Sequence, residues 1–278
     1  MGTRALWLMV LLWSSPVAAL AQSGVELEGL YDRIAADVQA GAPLRVKLFV
    51  ALCDNDSQGI VPVKNPRICD GDAPRRNLYW ATSGGLQAYL DRNGWKRARY
   101  EERGDGAVVR VHARWRKSVF AGGALRERGV RGRVGVEIEA LAYRGLEIRR
   151  AMEDYLKASR ASVDDEPAHV LGYIGHNYLL DGPVDVAPAV AHVPARGAFA
   201  LACLGTGTIS TRLNAPGLAV LLHNRGLTYP GAWTVGGIVR GLAEGHAPRD
   251  SHRLAARYCA DARGKSRGAI RRAFAYGR

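Results

Sequence analysis

Three short apolar runs constrain the fold of this chain more than any other feature. They read LRVKLFVALC (44–53), AHVLGYIG (168–175) and GAFALAC (197–203). A strand that is apolar at nearly every position must be covered on both faces, which is typical of a parallel sheet between helices. Segments of helical periodicity, such as RGLEIRRAMEDYLKASR (144–160), alternate with such runs. The sequence therefore predicts a three-layer α/β fold with a mostly parallel sheet flanked by helices.

The remaining elements follow from the same periodicities. We expect helices at 25–39, 85–92, 235–244, 250–261 and 266–276, and half-exposed strands around Tyr100, at 107–116 and at 134–143. A long segment between them, DNDSQGIVPVKNPRICDGDAPRRN (54–77), is rich in Asp, Gly, Pro and Asn. Its composition and its place after the first strand indicate a functional loop rather than a linker between domains.

The first 21 residues have the pattern of a secretory signal peptide. One arginine precedes an apolar segment at 5–13, and the small-residue site Ala19-Leu20-Ala21 predicts cleavage before Gln22. No later segment approaches the about 18 to 20 apolar residues that a membrane span requires. We therefore expect an exported protein, periplasmic or secreted, without a transmembrane segment, in which residues 22–278 form a single domain.

Four cysteines in an exported chain suggest disulfides, and four allow three complete pairings. Cys53 and Cys69 flank the irregular loop, so we expect a disulfide between them. Two alternatives stay open for Cys203: it is a thiol, or it forms a bridge with Cys259.

The chain carries a formal charge of +13. Outside the cytoplasm, such a charge favours an anionic envelope surface or acidic substrates as partners over nucleic acid. A solvated basic surface without any partner is the alternative. The basic and aromatic run at 95–118 alternates with period two, which fits the solvent face of a sheet better than a nucleic-acid site.

Two residues with catalytic chemistry follow the apolar runs. His176 comes after the strand that ends at Ile174-Gly175, and Cys203 comes after GAFALA. Functional residues collect beyond the carboxyl ends of parallel strands. An imidazole beside a thiol increases the thiolate fraction, and Gly205 could expose a backbone amide for an oxyanion. Both residues also have a purely structural interpretation. A histidine in a turn after a strand can simply bond to the local backbone, and a cysteine can be an inert thiol of the core.

An apolar run that ends in Gly-His, followed by one that ends in Ala-Cys, resembles the caspase-like cysteine peptidases, the clan of legumain, gingipains and CHAT domains. The resemblance covers roughly residues 134–245. It implies a caspase-like sheet, His176 as general base, Cys203 as nucleophile, and backbone amides near Gly175 and Cys203 for the oxyanion. Asn177 stands where the clan commonly has glycine, and LGTG (204–207) replaces its usual Ser-Gly-containing turn. The front half of the chain is also similar to secreted bacterial proteins of unassigned function.

The loop after the first strand concentrates negative charge in Asp54, Asp56, Asp70 and Asp72. If it borders the same cleft, these carboxylates suit a basic side chain of a peptide substrate. The loop matches part of a calcium-binding loop but lacks the ligand residues at positions five and twelve, and Asx-turns closed by the disulfide explain it as well.

The spacing of the histidines indicates no zinc site, and no complete nucleotide-binding motif is present. We expect no cofactor.

These features predict an exported cysteine peptidase, or a protein descended from one, that acts on a peptide or protein, with cleavage after Arg or Lys if the acidic residues line its pocket. The alternative is a catalytically silent periplasmic binding protein, or an envelope-interaction protein, that uses the same fold with a basic surface. The sequence leaves the substrate, the oligomeric state and any need for activation open.

Overall fold

A single mixed sheet dominates the computed structural model, which describes residues 16–59, 62–189, 193–227 and 231–277. Its strands within those ranges are β1 (Leu44–Ala51), β2 (Lys96–Glu102), β3 (Val109–Phe120), β4 (Arg133–Tyr143), β5 (Val170–Ile174), β6 (Arg196–Leu201), β7 (Leu218–Asn224) and β8 (Phe274–Ala275). Their order across the sheet is β2-β3-β4-β1-β5-β6-β7-β8.

The five central strands, β4, β1, β5, β6 and β7 in sheet order, are parallel to one another, whereas β2, β3 and β8 are antiparallel additions at the two sides. From β1 the chain continues to β4 on one side and then returns to β5 on the other. This reversal makes the carboxyl ends of β1 and β5 the switch point of the sheet, where ligands of open α/β sheets usually bind. The predicted α/β class with a mostly parallel sheet is confirmed.

Helices cover both faces of this sheet. They are α1 (Pro16–Gln39), α2 (Leu86–Arg92), α3 (Gly123–Glu127), α4 (Ile148–Ala158), α5 (Ile209–Arg212), α6 (Trp233–Ala243), α7 (Pro248–Arg263) and α8 (Arg267–Ala273). The α1 and α7 helices pack on one face, and α4 packs on β1 and β5 from the other.

Alternation along β1 shows why the strands are apolar throughout. Leu48 and Val50 belong to the larger buried cluster with residues of α1 and α6, whereas Phe49 belongs to the second cluster with residues of α4. Successive side chains of a strand point to opposite faces, so two cores require apolar residues at consecutive positions. The predicted three layers are therefore present.

One predicted helix ends earlier than expected. The periodicity at 266–276 predicts helix to Tyr276, but α8 ends at Ala273 because Phe274 and Ala275 pair with Asn224 and His223 at the end of β7. Phe274 is buried by this pairing. Tertiary packing thus overrides local helical preference here.

The predicted signal peptide covers residues 1–21. Residues 1–15 lie outside the described part of the chain, and residues 16–21 belong to α1. Among the described residues, no helix is long and apolar enough to span a membrane.

Cys53 and Cys69 form the predicted disulfide, which is compatible with an oxidising compartment. The bridge closes the base of the long loop immediately after β1. Gln58 lies under it, with Nε2 3.5 Å from the sulfur of Cys53 and 3.4 Å from that of Cys69. The irregular segment therefore has a fixed base directly beside the carboxyl end of β1.

Candidate functional site

The register of β5 and β6 brings His176 and Cys203 to equivalent positions. Ile174 pairs with Leu201 at the end of the ladder, and each candidate residue lies two positions beyond its member of this pair. Neighbouring strands are about 4.8 Å apart. The fold thus carries both residues to the same edge of the sheet on adjacent strands, as the sequence predicts.

Asn177 ties the two segments together beyond the ladder. Its side-chain nitrogen donates to the Cys203 carbonyl oxygen at 2.9 Å and to Oγ1 of Thr208 at 2.9 Å. The Asn177 side chain is buried. The residue after the histidine therefore fixes the backbone of the cysteine.

The backbone directly after Cys203 is unusual. Leu204 has a φ of 51°, the single positive φ among the described non-glycine residues, and its side chain is 38% exposed. A leucine in the left-handed region is strained by contact between its Cβ and the backbone. Such strain persists only where the surrounding contacts enforce it, and it is concentrated at functional turns. The strain gives the Cys203 turn a property that an ordinary strand end lacks.

A carboxylate orients the histidine. Nε2 of His176 lies 2.6 Å from Oδ2 of Asp181, and the histidine is only 7% exposed. A short 3-10 helix at Tyr178–Leu180 brings Asp181 back to the ring, and Asn177 caps that helix by accepting a hydrogen bond from the Leu179 amide. With Nε2 occupied by the carboxylate, Nδ1 is the nitrogen left to accept a proton.

The His176 backbone is fixed as well. The hydroxyl of Tyr173 donates to the His176 carbonyl oxygen at 2.6 Å. Burial raises the pKa of Tyr173 well above its usual range, and the nearby Tyr79 and Asp181 add to this effect. The phenol therefore stays protonated and keeps this hydrogen bond at any physiological pH.

The two glycines expected to serve an oxyanion differ in their availability. The Gly175 amide donates to the Leu201 carbonyl oxygen at 3.2 Å, so it is already used by the sheet. Gly205 is buried after the Cys203 turn, and its amide has no acceptor among the described residues. Gly205 is thus the better candidate for an oxyanion donor.

The acidic residues of the loop lie near this edge, and two of them have arginine partners. Asp70 pairs with Arg76 at 2.6 Å, and Asp72 pairs with Arg144 at 2.6 Å. The Arg76 hydrogen bond lowers the pKa of Asp70. The negative charge of both carboxylates is therefore compensated locally.

Asp54 and Asp56 shape the loop itself. Oδ1 of Asp54 accepts a hydrogen bond from the Asp56 amide at 2.9 Å, which is an Asx-turn. A Cβ added at Gly71 or Gly145 would clash with the Asp54 side chain, so Asp54 is held between these two glycines. Gly59 of the same loop lies beside Asp181, since a Cβ there would be 3.5 Å from Oδ1. The loop therefore reaches the His176 pair.

The alternative bridge between Cys203 and Cys259 is not formed. Neither residue takes part in a disulfide. Cys259 is buried in the main core cluster, on α7, whereas Cys203 is partly accessible. Of the two, Cys203 is the residue that a reagent or substrate can approach.

Sequence reasoning missed Asp181 and the role of Asn177. Asp181 follows no strand, and it reaches His176 through the short helix rather than through sheet register. The sequence did contain a signal for this turn: an asparagine can cap a helix that begins directly after it. No group of three or more His, Cys, Asp and Glu residues in the described ranges is arranged to hold a metal ion.

Comparisons with family models, with curated proteins and with solved structures find no match for this chain.

Proposed function

We propose that the protein is a cysteine hydrolase of the caspase-like type that acts on peptide bonds, with Cys203 as nucleophile and His176 as general base. The observation that carries the proposal is the register of β5 and β6: their last pair, Ile174 and Leu201, precedes His176 and Cys203 by two positions each, at the same edge of the sheet. The contact of His176 with Asp181 supports it, because an oriented imidazole is what an activated thiol requires.

Each step then has a group to perform it. Nδ1 of His176 takes the thiol proton, and the Cys203 thiolate adds to the carbonyl carbon of the peptide. The oxyanion that forms is stabilised by the Gly205 amide. His176 returns the proton to the leaving amine, the peptide C–N bond breaks, and water hydrolyses the thioester to regenerate the thiol. Asp181 stabilises the imidazolium in between.

Substrate preference remains a proposal of its own. Cleavage after Arg or Lys requires that carboxylates of Asp54, Asp56, Asp70 or Asp72 contact the substrate. The arginine partners of Asp70 and Asp72 compete with such a substrate. Asp54 and Asp56 are therefore the two carboxylates of this set that best fit a cationic side chain. We further propose export of the mature chain from Gln22 to the periplasm or the medium.

A peptide library that varies the residue before the cleaved bond tests the activity. The chain from Gln22 should cleave members of this library under reducing conditions that are mild enough to keep the Cys53–Cys69 disulfide. Cys203→Ala should abolish cleavage, and His176→Ala should reduce it by roughly 100-fold or more.

Cys259→Ala is the matched control, since it removes the other thiol and should leave turnover unchanged. Iodoacetamide gives a second readout, and it should modify Cys203 ahead of the buried Cys259. Cleavage that survives Cys203→Ala would contradict the proposal. The absence of cleavage together with equal or absent labelling of Cys203 would favour the silent binding protein.

A further inference from the structure

Five arginines and a histidine line a cavity of about 370 Å³ beside β8. They lie on three elements: the segment after β7, α7 and α8. These lining residues are Arg225, Arg249, His252, Arg253, Arg271 and Arg272. A second cavity shares Arg253 and Arg271 with the first one.

The charge of this cavity is largely uncompensated. Arg253 pairs with Asp250 at 3.0 Å, but the other four arginines have no carboxylate partner among the described residues. Many arginines elsewhere in the protein form ion pairs, as Arg128 does with Glu28 and Asp32. Like charges that line one concave surface repel one another, and an anion between them removes that repulsion.

His252 provides an independent sign of a missing partner. The residue is 6% exposed and lines the cavity, and its Nε2 is buried without a hydrogen-bond partner in the described part of the chain. The ring packs against Tyr276 at 5.2 Å and against Phe274 at 6.4 Å between centroids. Buried polar atoms normally have a partner, which makes this nitrogen a candidate for contact with a ligand.

The surroundings of His252 favour its neutral form. Burial lowers its pKa, and Arg225, Arg271 and Arg253 lower it further, while the Phe274 backbone acts in the opposite direction. The negative charge of an anion bound among these arginines would offset their positive charge and so raise the pKa of His252 again. Binding of an anion should therefore be coupled to protonation of His252.

We propose that this cavity binds a small phosphate ester, with the phosphate held by Arg225, Arg253 and Arg271 and by Nε2 of His252. A planar guanidinium group can donate two parallel hydrogen bonds to the oxygen atoms of a phosphate. Several arginines together present more donors than the two oxygen atoms of one carboxylate can accept, so they fit a phosphate better. The volume is at the lower end of that of small-molecule pockets. Tyr276, which is partly exposed and lines the cavity, offers an apolar surface to the organic part of the ligand.

Calorimetry with inorganic phosphate and with sulfate tests this site on the chain from Gln22. We expect saturable binding of one anion for each chain. Arg271→Gln and Arg225→Gln should each weaken it by at least tenfold. Arg126→Gln is the matched control, since it removes one exposed arginine from α3, away from the cavity. Equal weakening by Arg126→Gln, or the absence of saturation, would overturn the proposal.

Sulfate also tests the role of His252, because it stays a dianion between pH 5 and 8. Titratable and charged groups from several elements surround this histidine. They are His223 from β7, Arg225 from the segment after β7, Arg253 with its partner Asp250 from α7, Arg271 from α8, and Tyr276. Affinity should rise as the pH falls from 8 to 5.5, and His252→Gln should lose this rise. An equal rise in His252→Gln would assign the proton to another group and overturn this role.

The phosphate ester could belong to a phospholipid headgroup or to a free small molecule. Binding measurements with vesicles and with a sugar phosphate distinguish these two sources. A phospholipid source predicts that phosphatidylglycerol vesicles bind the protein, whereas phosphatidylcholine vesicles do not, and that sulfate competes with them. A free ester predicts that glucose 6-phosphate binds more tightly than inorganic phosphate. Loss of either interaction in Arg271→Gln supports the site, and binding that this variant retains contradicts it. None of these variants changes His176 or Cys203.

Discussion

A single carboxylate, Asp181, decides which nitrogen of His176 carries a proton. Because the carboxylate lies 2.6 Å from Nε2, the neutral ring keeps its proton there and presents the lone pair of Nδ1. Asp181 is a positioning residue in this arrangement, since it acts through the imidazole. Its contribution is therefore expected in the rate and the pH profile of the reaction rather than in substrate binding.

Asp181→Asn should lower the rate of peptide cleavage by roughly 100-fold with little change in KM, because the imidazolium loses its counter-charge. The pH profile of Cys203 alkylation should also shift, which a purely structural role of Asp181 would not cause. Asp185→Asn serves as the control, as it changes an exposed carboxylate on the same loop. Identical profiles for Asp181→Asn and Asp185→Asn would contradict this assignment.

At the scale of elements, the loop after β1 depends on its covalent closure. The Cys53–Cys69 bridge spans 16 positions of sequence and closes a segment that contains the Asx-turn at Asp54 and a 3-10 helix at Pro66–Ile68. Regular secondary structure is scarce in this loop, so few backbone hydrogen bonds replace the bridge if it is lost. Because Gly59 lies beside Asp181, loosening of the loop would also affect the candidate site.

Replacement of both cysteines by alanine should lower the free energy of unfolding by about 3 kcal/mol, the chain-entropy value for a loop of this length. Urea unfolding of the double variant and of the parent protein measures the difference. Cys259→Ala, which removes a buried thiol outside the loop, controls for the loss of a sulfur atom from the core. An unchanged unfolding midpoint in the double variant would refute the contribution of the bridge.

Prediction from sequence succeeded where one physical cause dominates. Burial on both faces leaves an uninterrupted apolar run, so β1, β5 and β6 were predictable, and with them the edge that holds His176 and Cys203. Prediction failed where long-range contacts decide. The helical pattern at 266–276 gave no sign that Phe274 and Ala275 would pair with β7. Asp181 was missed because a local turn, rather than a strand, places it.

At the scale of the whole molecule, several buried histidines make the fold sensitive to acid. Burial lowers the pKa of His169 to about 4, and Arg33 adds to this effect. The Arg45 amide donates to Nδ1 of this ring, a hydrogen bond that a doubly protonated ring cannot accept. Nε2 lies 2.9 Å from Asp37 in a contact that favours the charged form but does not outweigh burial. Burial also lowers the pKa of His223 and His252.

The sign of the effect follows from linkage. Since the pKa of His169 is lower in the folded state than in the unfolded state, the unfolded chain takes up protons first as the pH falls below about 6.5. Stability should therefore be lost between pH 6.5 and 4. By pH 5, a pH above the ordinary range of carboxyl groups, this histidine alone accounts for about 2 kcal/mol.

Urea unfolding at pH 7.5 and at pH 5 measures this loss. His169→Gln should reduce the difference between the two pH values without abolishing it, because His223 and His252 act in the same direction. A difference as large in His169→Gln as in the parent protein would show that other groups cause the acid sensitivity.

The two outer strands of the sheet have a consequence for behaviour at high concentration. β2, whose sequence is KRARYEE, is exposed at nearly every position and carries five charged side chains, and β8 is only two residues long. An open strand edge is a template onto which other chains can add to form aggregates or fibrils. The edge strand β2 is charged and the edge strand β8 is very short, so neither offers a flat apolar strand to which another chain could add. Concentrated solutions of the folded protein should therefore resist aggregation through the sheet, so that precipitation would report unfolding.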